Sequence, residues 1–311
     1  DTSRHITYTQ GQSIADIMAI DPALSTAQAT QIFNALSAPD KAATDGFIYK
    51  VTGEWTPTAD LLFYATYSEG FRAGLLNRPG GAAGPNGYTV PFEVDTDEVK
   101  NYEIGWKTEL FDNSLRFNGS AFFVEVDGLQ TTIFDPSIVN LFFSDNAANA
   151  EIKGVEGDFT WAPASVEGLT VAGAFSLLDT EVTEVLIPTN DVVEGSDLAF
   201  APAYQGNLRV RYEWDLEHEI AGQHLTAHVM PQIVFSDDSV TDVIEINKMD
   251  LEGYTTFGGT LGVTADNWSA EIFATNLTNE YAELSGSFVY DRERVTPMRP
   301  RTIGIRVSYD Y

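Results

Sequence analysis

The feature that most constrains the fold is an alternation of apolar and polar residues, with a period of two, that returns many times along the chain. In residues 301–311 every second side chain is apolar, namely Ile303, Ile305, Val307, Tyr309 and Tyr311. Residues 207–214 repeat the pattern with Leu208, Val210, Tyr212 and Trp214. Successive side chains of a β-strand point to opposite faces, so each segment predicts a strand with one apolar and one polar face.

Such segments predict about eleven strands, at 47–55, 59–71, 98–111, 114–127, 150–161, 168–178, 204–215, 223–236, 254–265, 267–277 and 301–311. Their predicted connections alternate in length. Tight turns are expected at Pro57–Thr58, Asp112–Asn113, Ala164–Gly168, Asp215–Gly222 and Asp266, and long loops at 72–97, 128–149, 179–203, 237–253 and 278–300. Short turns at one end and long loops at the other are typical of an antiparallel transmembrane β-barrel of the outer membrane, with the long loops outside the cell.

The tryptophans support this interpretation. Four of the five lie beside the predicted short turns: Trp55, Trp161, Trp214 and Trp268. Only Trp106 lies elsewhere. Indole rings favour the interface between membrane and water, so the four predict an aromatic girdle at the periplasmic side.

Composition excludes several classes of function. With 17 basic and 46 acidic residues the net charge is −29, so a nucleic-acid partner is not expected. The chain contains no cysteine, which excludes thiol chemistry and cysteine-bound metals. No apolar run approaches the roughly 20 residues of a membrane helix, but barrel strands are too polar on average to form such runs.

The start of the chain differs from the rest. Residues 12–38 space their apolar side chains nearer a helical period, with Ser25 or Thr26 available as a cap. We therefore expect residues 1–46 to be an extracellular loop with short helices, serving as a surface insertion or a partner-docking element, and residues 47–311 to be the C-terminal part of a barrel. Bacterial barrels have even strand numbers and no unpaired edge in lipid. Either residues 3–9 supply a strand, or further strands are required.

Five runs stand in an order and at a spacing that resemble one known family. They are Tyr64–Gly74 (YATYSEGFRAG), Asn101–Phe111 (NYEIGWKTELF), Lys153–Gly157 (KGVEG), Ala274–Tyr281 (ATNLTNEY) and Arg299–Ile305 (RPRTIGI) before Tyr311. From about Phe47 to Tyr311 the chain resembles the TonB-dependent outer-membrane receptors.

The resemblance implies a 22-stranded barrel in the outer membrane of a Gram-negative bacterium, surrounded by lipid and lipopolysaccharide and closed by an N-terminal plug. It implies import of a scarce, bulky nutrient (siderophore-iron, cobalamin or an oligosaccharide) driven by the inner-membrane TonB complex. It also implies that the aromatic residues of the last strand, Tyr309 and Tyr311, serve recognition by the barrel-assembly machinery. Because only eleven strands and no plug are found, we expect a C-terminal fragment, or one piece of a split or cleaved receptor, with a separate N-terminal partner.

The sequence offers little for catalysis or metal binding. His224 and His228 share a predicted strand, yet four residues of a strand span about 13 Å, too far for one metal ion. Acidic residues in loops 179–203 and 237–253 indicate either solvated surface or calcium binding. The pairs Glu103/Glu109 and Glu156/Asp158 fit the polar lining of a barrel. We expect neither an enzyme nor a cofactor.

In the resembled family, ligand contacts come from the plug, the upper barrel wall and the loops. The residues predicted to bind ligand are aromatic or basic and lie at loop roots: Phe71, Arg72, Arg78, Phe142, Phe143, Tyr204, Tyr290, Arg292 and Arg294. The aromatic members are also suited to an outer girdle. Two other classes of function stay open at this point: a passive 12-stranded channel that uses residues 3–9, and a soluble acidic all-β adhesion protein.

Overall fold

The computed structural model describes residues 7–39, 41–77, 80–83, 87–134, 142–189, 191–220, 222–289 and 292–310. Two short helices precede a sheet of eleven strands, each antiparallel to its neighbours and in the order of the sequence. None of the helices in these residues has both the length and the apolar character needed to span a membrane. The predicted all-β, antiparallel fold with about eleven strands is confirmed.

The helices are α1 (Ile14–Ile20) and α2 (Thr26–Ser37). The strands of the main sheet are β1 (Lys50–Thr58), β2 (Leu61–Arg72), β5 (Asp97–Leu110), β6 (Leu115–Phe134), β7 (Phe142–Trp161), β8 (Leu169–Val185), β9 (Tyr204–Ile220), β10 (Gln223–Ser236), β13 (Tyr254–Thr264), β14 (Trp268–Thr275) and β17 (Thr302–Tyr309). The long loops hold three two-stranded ladders: β3 (Leu75–Leu76) with β4 (Glu93–Val94), β11 (Ser239–Val240) with β12 (Asp250–Leu251), and β15 (Glu283–Val289) with β16 (Arg292–Pro297). A 3-10 turn (Glu245–Asn247) lies between β11 and β12.

Three predicted connections were wrong. The turn expected at Asp215–Gly222 is mostly strand, because β9 continues to Ile220. The long loop expected at 128–149 is mostly strand, because β6 continues to Phe134 and β7 begins at Phe142. The alternation breaks at Gly128, whose φ of +68° accompanies a shift of pairing after Val126. Asn149 and Asn146 hold this bulge, since the Gly128 amide donates to Asn149 Oδ1 (2.8 Å) and Asn146 Nδ2 donates to the Gly128 carbonyl (2.7 Å). A bulge inserts one unpaired residue and hides the period of two on either side of it.

The turn predicted at Pro57–Thr58 was also wrong, because β1 runs to Thr58 and pairs there with Leu61. Proline normally ends a strand, since it cannot donate to the ladder. Within the described sheet β1 is an edge strand with a partner on one side only, and a proline is tolerated at such a position.

The sheet has one apolar and one polar face, as predicted. A row of directly paired residues crosses six strands with apolar or aromatic side chains only: Ile305, Ile272, Leu261, Val229, Tyr212 and Leu169. The neighbouring row, one residue away on each strand, consists of Arg306, Glu271, Gly262, His228 and Glu213. We call the first the outer face and the second the inner face.

The four tryptophans of the predicted girdle all lie on the outer face near the short turns. Their cross-strand partners are Phe63 for Trp55, Val171 for Trp161, Ala227 for Trp214 and Tyr309 for Trp268. This end of the sheet, marked by the turns after Thr58, Leu110, Trp161, Ile220 and Thr264, is the short-turn end; the opposite end is the long-loop end. Their position agrees with an aromatic belt at one membrane interface.

The helices lie at the long-loop end, where β1 begins. Ser13 and Ser25 cap α1 and α2, each in a capping box with the residue three positions later. A Cβ built on Gly81, in the loop between β3 and β4, would lie 2.8 Å from Cγ of Asn34 in α2, so the second helix packs directly on this loop. Residues 7–9 form no strand and residues 1–6 lie outside the described residues. The domain boundary at residue 46 stays a prediction.

We expect Ile305→Arg to destabilise the membrane-embedded protein by about 2 to 4 kcal/mol, because the outer face then carries a charge near the bilayer midplane. Arg306→Val, one residue further along the same strand, should cost much less, because its side chain belongs to the inner face. Denaturant unfolding of the protein in lipid vesicles measures both. Equal losses would contradict the assignment of the faces.

Candidate functional site

The inner face carries a row of charged side chains toward its short-turn end. His228 Nε2 lies 3.2 Å from Glu271 Oε1, and Arg306 Nη1 lies 3.0 Å from Glu271 Oε2. The His228 side chain is 2% exposed. Gly262 makes this possible, because a Cβ there would lie 2.7 Å from Cε1 of the imidazole. The Arg306–Glu271 ion pair therefore joins β14 and β17 through side chains, and His228 lies beside it, although its Nε2 makes no hydrogen bond within the described residues.

The described residues contain no group of three or more His, Asp or Glu side chains arranged to hold a metal ion. His224 lies 3.4 Å from Glu219, whereas His228 lies beside Glu271. The two histidines therefore have separate partners. In this part of the chain the inner face offers hydrogen-bonding and charged groups.

At the long-loop end the loops pack on one another and on the extended β6–β7 hairpin. A cluster of buried apolar residues joins them: Val90, Ile133, Phe143, Ala147, Ala148, Val182, Val192, Val243 and Ile244. These residues come from the loops after β2, β8 and β10 as well as from β6, β7 and β8. Burial of this apolar surface makes the loops one packed unit.

Polar contacts fix the loop after β2 to the β6–β7 hairpin. Asn77 Nδ2 donates to the Ser144 carbonyl (2.6 Å), and Asn77 Oδ1 accepts from the Ser144 amide (2.8 Å). The Tyr88 hydroxyl donates to Asp145, and its ring lies 5.9 Å from that of Phe143. Burial, the hydrogen bond to Asp145 and the charge of that carboxylate together raise the pKa of Tyr88 above its ordinary value. The neutral phenol is therefore the form that this packing stabilises.

An ion pair closes the base of the same loop. Asp97 is 1% exposed. It accepts from the Arg72 amide (3.0 Å), Arg72 Nε (2.6 Å) and the Gln130 amide (3.4 Å). The Arg72 side chain is 57% exposed, so the arginine reaches solvent while its partner does not. Arg72 and Asp97 are directly paired across β2 and β5.

The predicted ligand-binding residues fall into three groups. Arg72 and Phe143 have the structural contacts just described. Phe71 and Tyr204 are exposed at the long-loop ends of β2 and β9, on the outer face, and Arg292 and Arg294 are exposed on β16. Arg78 and Tyr290 lie outside the described residues, as does the side chain of Phe142; so does Tyr311 of the predicted assembly signal. The described members thus do not form one pocket.

Sequence reasoning missed Asp97, Asn77 and Asp145, which organise the loops. A signal existed only for Asp97. The predicted pairing of segments 59–71 and 98–111 places residues 71 and 98 opposite each other, and continuing it by one residue places 72 opposite 97. Asn77 and Asp145 act through contacts between loops, which no period in the sequence encodes.

Comparison with known proteins gives this architecture a family. Residues 23–277 match the family model described as TonB dependent receptor-like, beta-barrel. The chain belongs to this family of outer-membrane β-barrels, so the outer face is the lipid face and the long-loop end is the extracellular one.

Among characterised proteins, the metal-pseudopaline receptor CntO of Pseudomonas aeruginosa (strain UCBPP-PA14) is 27% identical over 263 residues, which are 82% of this chain and 33% of the receptor. The chain therefore spans about a third of the length of the curated relatives it matches.

Two solved structures share the fold. The ferric yersiniabactin uptake receptor FyuA from Yersinia pestis has a TM-score of 0.62 at 18% identity, over 84% of this chain and 37% of its own. The siderophore receptor PiuA from Acinetobacter baumannii has a TM-score of 0.62 at 18% identity, over 85% of this chain and 36% of its own. The eleven-stranded sheet thus corresponds to part of a receptor barrel.

We expect Asp97→Ala to weaken the folded loops by about 2 to 3 kcal/mol, because three hydrogen bonds to a buried carboxylate are lost. Asp127→Ala is the matched control: its carboxylate also pairs with a cation, Lys100, but is 51% exposed, so its loss should cost less than about 1 kcal/mol. Limited proteolysis of loop 73–96, with denaturation curves, compares the two. If Asp127→Ala were as sensitive to protease and denaturant as Asp97→Ala, the role of Asp97 in holding the loop would be refuted.

Packing at Tyr88 should depend on pH. Its pKa is raised on folding, so its contribution to loop stability is complete below the unfolded value of about 10 and is lost as the pH rises through the raised value. We expect protease resistance of loop 73–96 to fall above about pH 10. In Tyr88→Phe, resistance should be lower at neutral pH and show a smaller change at alkaline pH. An identical pH profile in the two proteins would argue against this contact.

Proposed function

We propose that this chain is part of an energy-coupled receptor that imports a metal–chelator complex across the outer membrane. The observation that carries the proposal is the match of residues 23–277 to the receptor barrel family, together with eleven strands in one continuous ladder. The named relatives are receptors for metal-pseudopaline, ferric yersiniabactin and siderophores. These names favour a metal chelate over cobalamin or an oligosaccharide, and they describe receptors rather than enzymes.

We further propose that other strands and a plug complete the barrel. In the described sheet, β1 pairs only with β2 and β17 only with β14, so each has one unpaired side. Unpaired backbone groups in lipid cost several kcal/mol each, in round terms about 2 to 7. Closure by further strands satisfies them, and a plug makes the wide lumen selective. The TonB complex then acts through the plug, and Tyr309 and Tyr311 serve recognition by the assembly machinery.

The inner face suits such a lumen. Some of its charged groups form ion pairs, such as Arg211 with Glu213 and Arg306 with Glu271. The Tyr64 hydroxyl donates to Glu103 at 2.5 Å. Charges that are paired in this way keep the wall hydrated without holding a charged solute strongly at one point. This supports passage of a bulky ligand past the wall.

The experiment is uptake of a radiolabelled metal in the source organism under metal limitation. Deletion of the gene should reduce uptake of at least one metal chelate to background, and a plasmid copy should restore it. Loss of TonB or collapse of the proton-motive force should have the same effect as deletion, because import against a gradient requires energy.

Two results would favour the other classes of function. Uptake that persists without TonB, with steady conductance of the purified protein in planar bilayers, would indicate a passive channel. Extraction of the protein from cells without detergent would indicate a soluble adhesion protein. Either result would overturn the proposal.

A further inference from the structure

The β15–β16 hairpin rises from the extracellular end of the wall between β14 and β17. Its two strands pair Ser285 with Thr296, Gly286 with Val295, Ser287 with Arg294, Phe288 with Glu293 and Val289 with Arg292. Directly paired residues of an antiparallel ladder lie on the same face, and neighbours along a strand lie on opposite faces. The hairpin therefore has two chemically different faces.

One face packs on the neighbouring loop, residues 237–253. It carries Gly286, Phe288, Glu293 and Val295. A Cβ on Gly286 would lie 3.1 Å from Cγ2 of Thr241 and 3.2 Å from Cε of Met249, so the two elements are in close contact. This contact fixes the hairpin and leaves its other face turned away from the loop.

The second face, which we call the guanidinium face, carries Ser285, Ser287, Arg292, Arg294 and Thr296. Both arginines are exposed. Within the described residues neither forms an ion pair, which is also true of Arg116, Arg209, Arg299 and Arg301; Arg72, Arg211 and Arg306 each have a carboxylate partner. Between Ser285 and Thr296 the face thus combines two guanidinium groups and three hydroxyls, and none of its described side chains there is a carboxylate.

Such a surface is unusual in this chain, in which acidic residues outnumber basic ones by 46 to 17. Guanidinium groups present rigid forks of N–H donors that match the oxygens of carboxylate or phosphate, and hydroxyls add further donors. The two arginines are two residues apart on one strand face, roughly 7 Å. One anionic ligand with several carboxylates can therefore engage both.

We infer that the guanidinium face binds the carboxylate groups of an anionic metal chelate as it arrives from outside the cell. This rests on the proposed function and adds the charge class of the ligand and the residues that recognise it. Phosphate groups of lipopolysaccharide share this chemistry. The ligand is favoured because the hairpin, Glu283–Pro297, lies beyond the extracellular end of the paired wall, where Thr275 pairs with Thr302, and is joined to it by residues 276–282 and 298–301.

The test uses the complete receptor in cells that carry no other copy of it. The probes are iron-55 as ferric citrate, which is anionic, and as an uncharged ferric trihydroxamate complex, each over a range of concentrations. In R292Q/R294Q the KM for the anionic complex should rise by about tenfold or more with maximal uptake little changed, because charge-assisted hydrogen bonds are lost. R292K/R294K keeps the charge without the fork and should show a smaller rise.

E293Q is the matched control, because Glu293 belongs to the opposite face of the same strand. The KM of E293Q for the anionic complex should equal that of the wild type. Surface expression is measured for each variant by antibody labelling of intact cells. An unchanged KM in R292Q/R294Q, or an equal rise for the neutral complex, would overturn the inference.

Failure of the proposed function gives a different result, namely no receptor-dependent uptake of any chelate by the wild type. The face is then tested directly by titrating purified complete receptor in detergent with citrate alone and with lipopolysaccharide. Citrate binding that is lost in R292Q/R294Q supports the inference. Equal citrate binding by wild type and variant, or a loss confined to lipopolysaccharide, overturns it.

Discussion

The structure depends on one constraint, which is that backbone N–H and C=O groups inside a bilayer must bond to each other. A continuous antiparallel ladder of eleven strands meets this requirement everywhere except at the outer sides of β1 and β17. The alternation of faces follows from it, because each strand must turn one row of side chains to lipid and the other to water. The same ladder produces both the lipid face and the inner-face row from Glu213 to Arg306, because the two rows lie one residue apart on each strand.

Because the ladder extends beyond the membrane, the extracellular part is also built on it. β6 continues to Phe134 and β7 begins at Phe142. The loops after β2, β8 and β10 pack against this extended hairpin. The Arg72–Asp97 pair stands where the loop after β2 leaves the sheet. A buried apolar cluster joins these loops. Any movement that admits a ligand must therefore displace the cluster as a unit, or leave it in place and use the surfaces around it.

How much was predictable follows from the same physics. The strands were predictable because lipid on one side and water on the other enforce a period of two, and the tryptophans marked one end. The bulge at Gly128 was not, because its fit to Asn146 and Asn149 is a contact between strands. The core around Ile133 and Phe143 was missed for the same reason. Arg292 and Arg294 were predicted as ligand residues from their side-chain type and their position at a loop root. Their common face required the pairing of Ser287 with Arg294, and no period distinguished that hairpin from loop.

The distribution of charge bears on how an acidic chain would receive an anion. A net charge of −29 repels anions at long range, yet at physiological ionic strength the Debye length is about 8 Å, so a solute responds mainly to the groups nearest to it. On the inner face the cations at Arg211 and Arg306 are already paired with carboxylates. On the hairpin, alternation along β16 places Glu293 on the face that packs on Thr241 and Met249, and the two arginines on the other face. The pairing of β15 with β16 thus creates a positively charged surface on a negatively charged chain, which net charge alone would not predict.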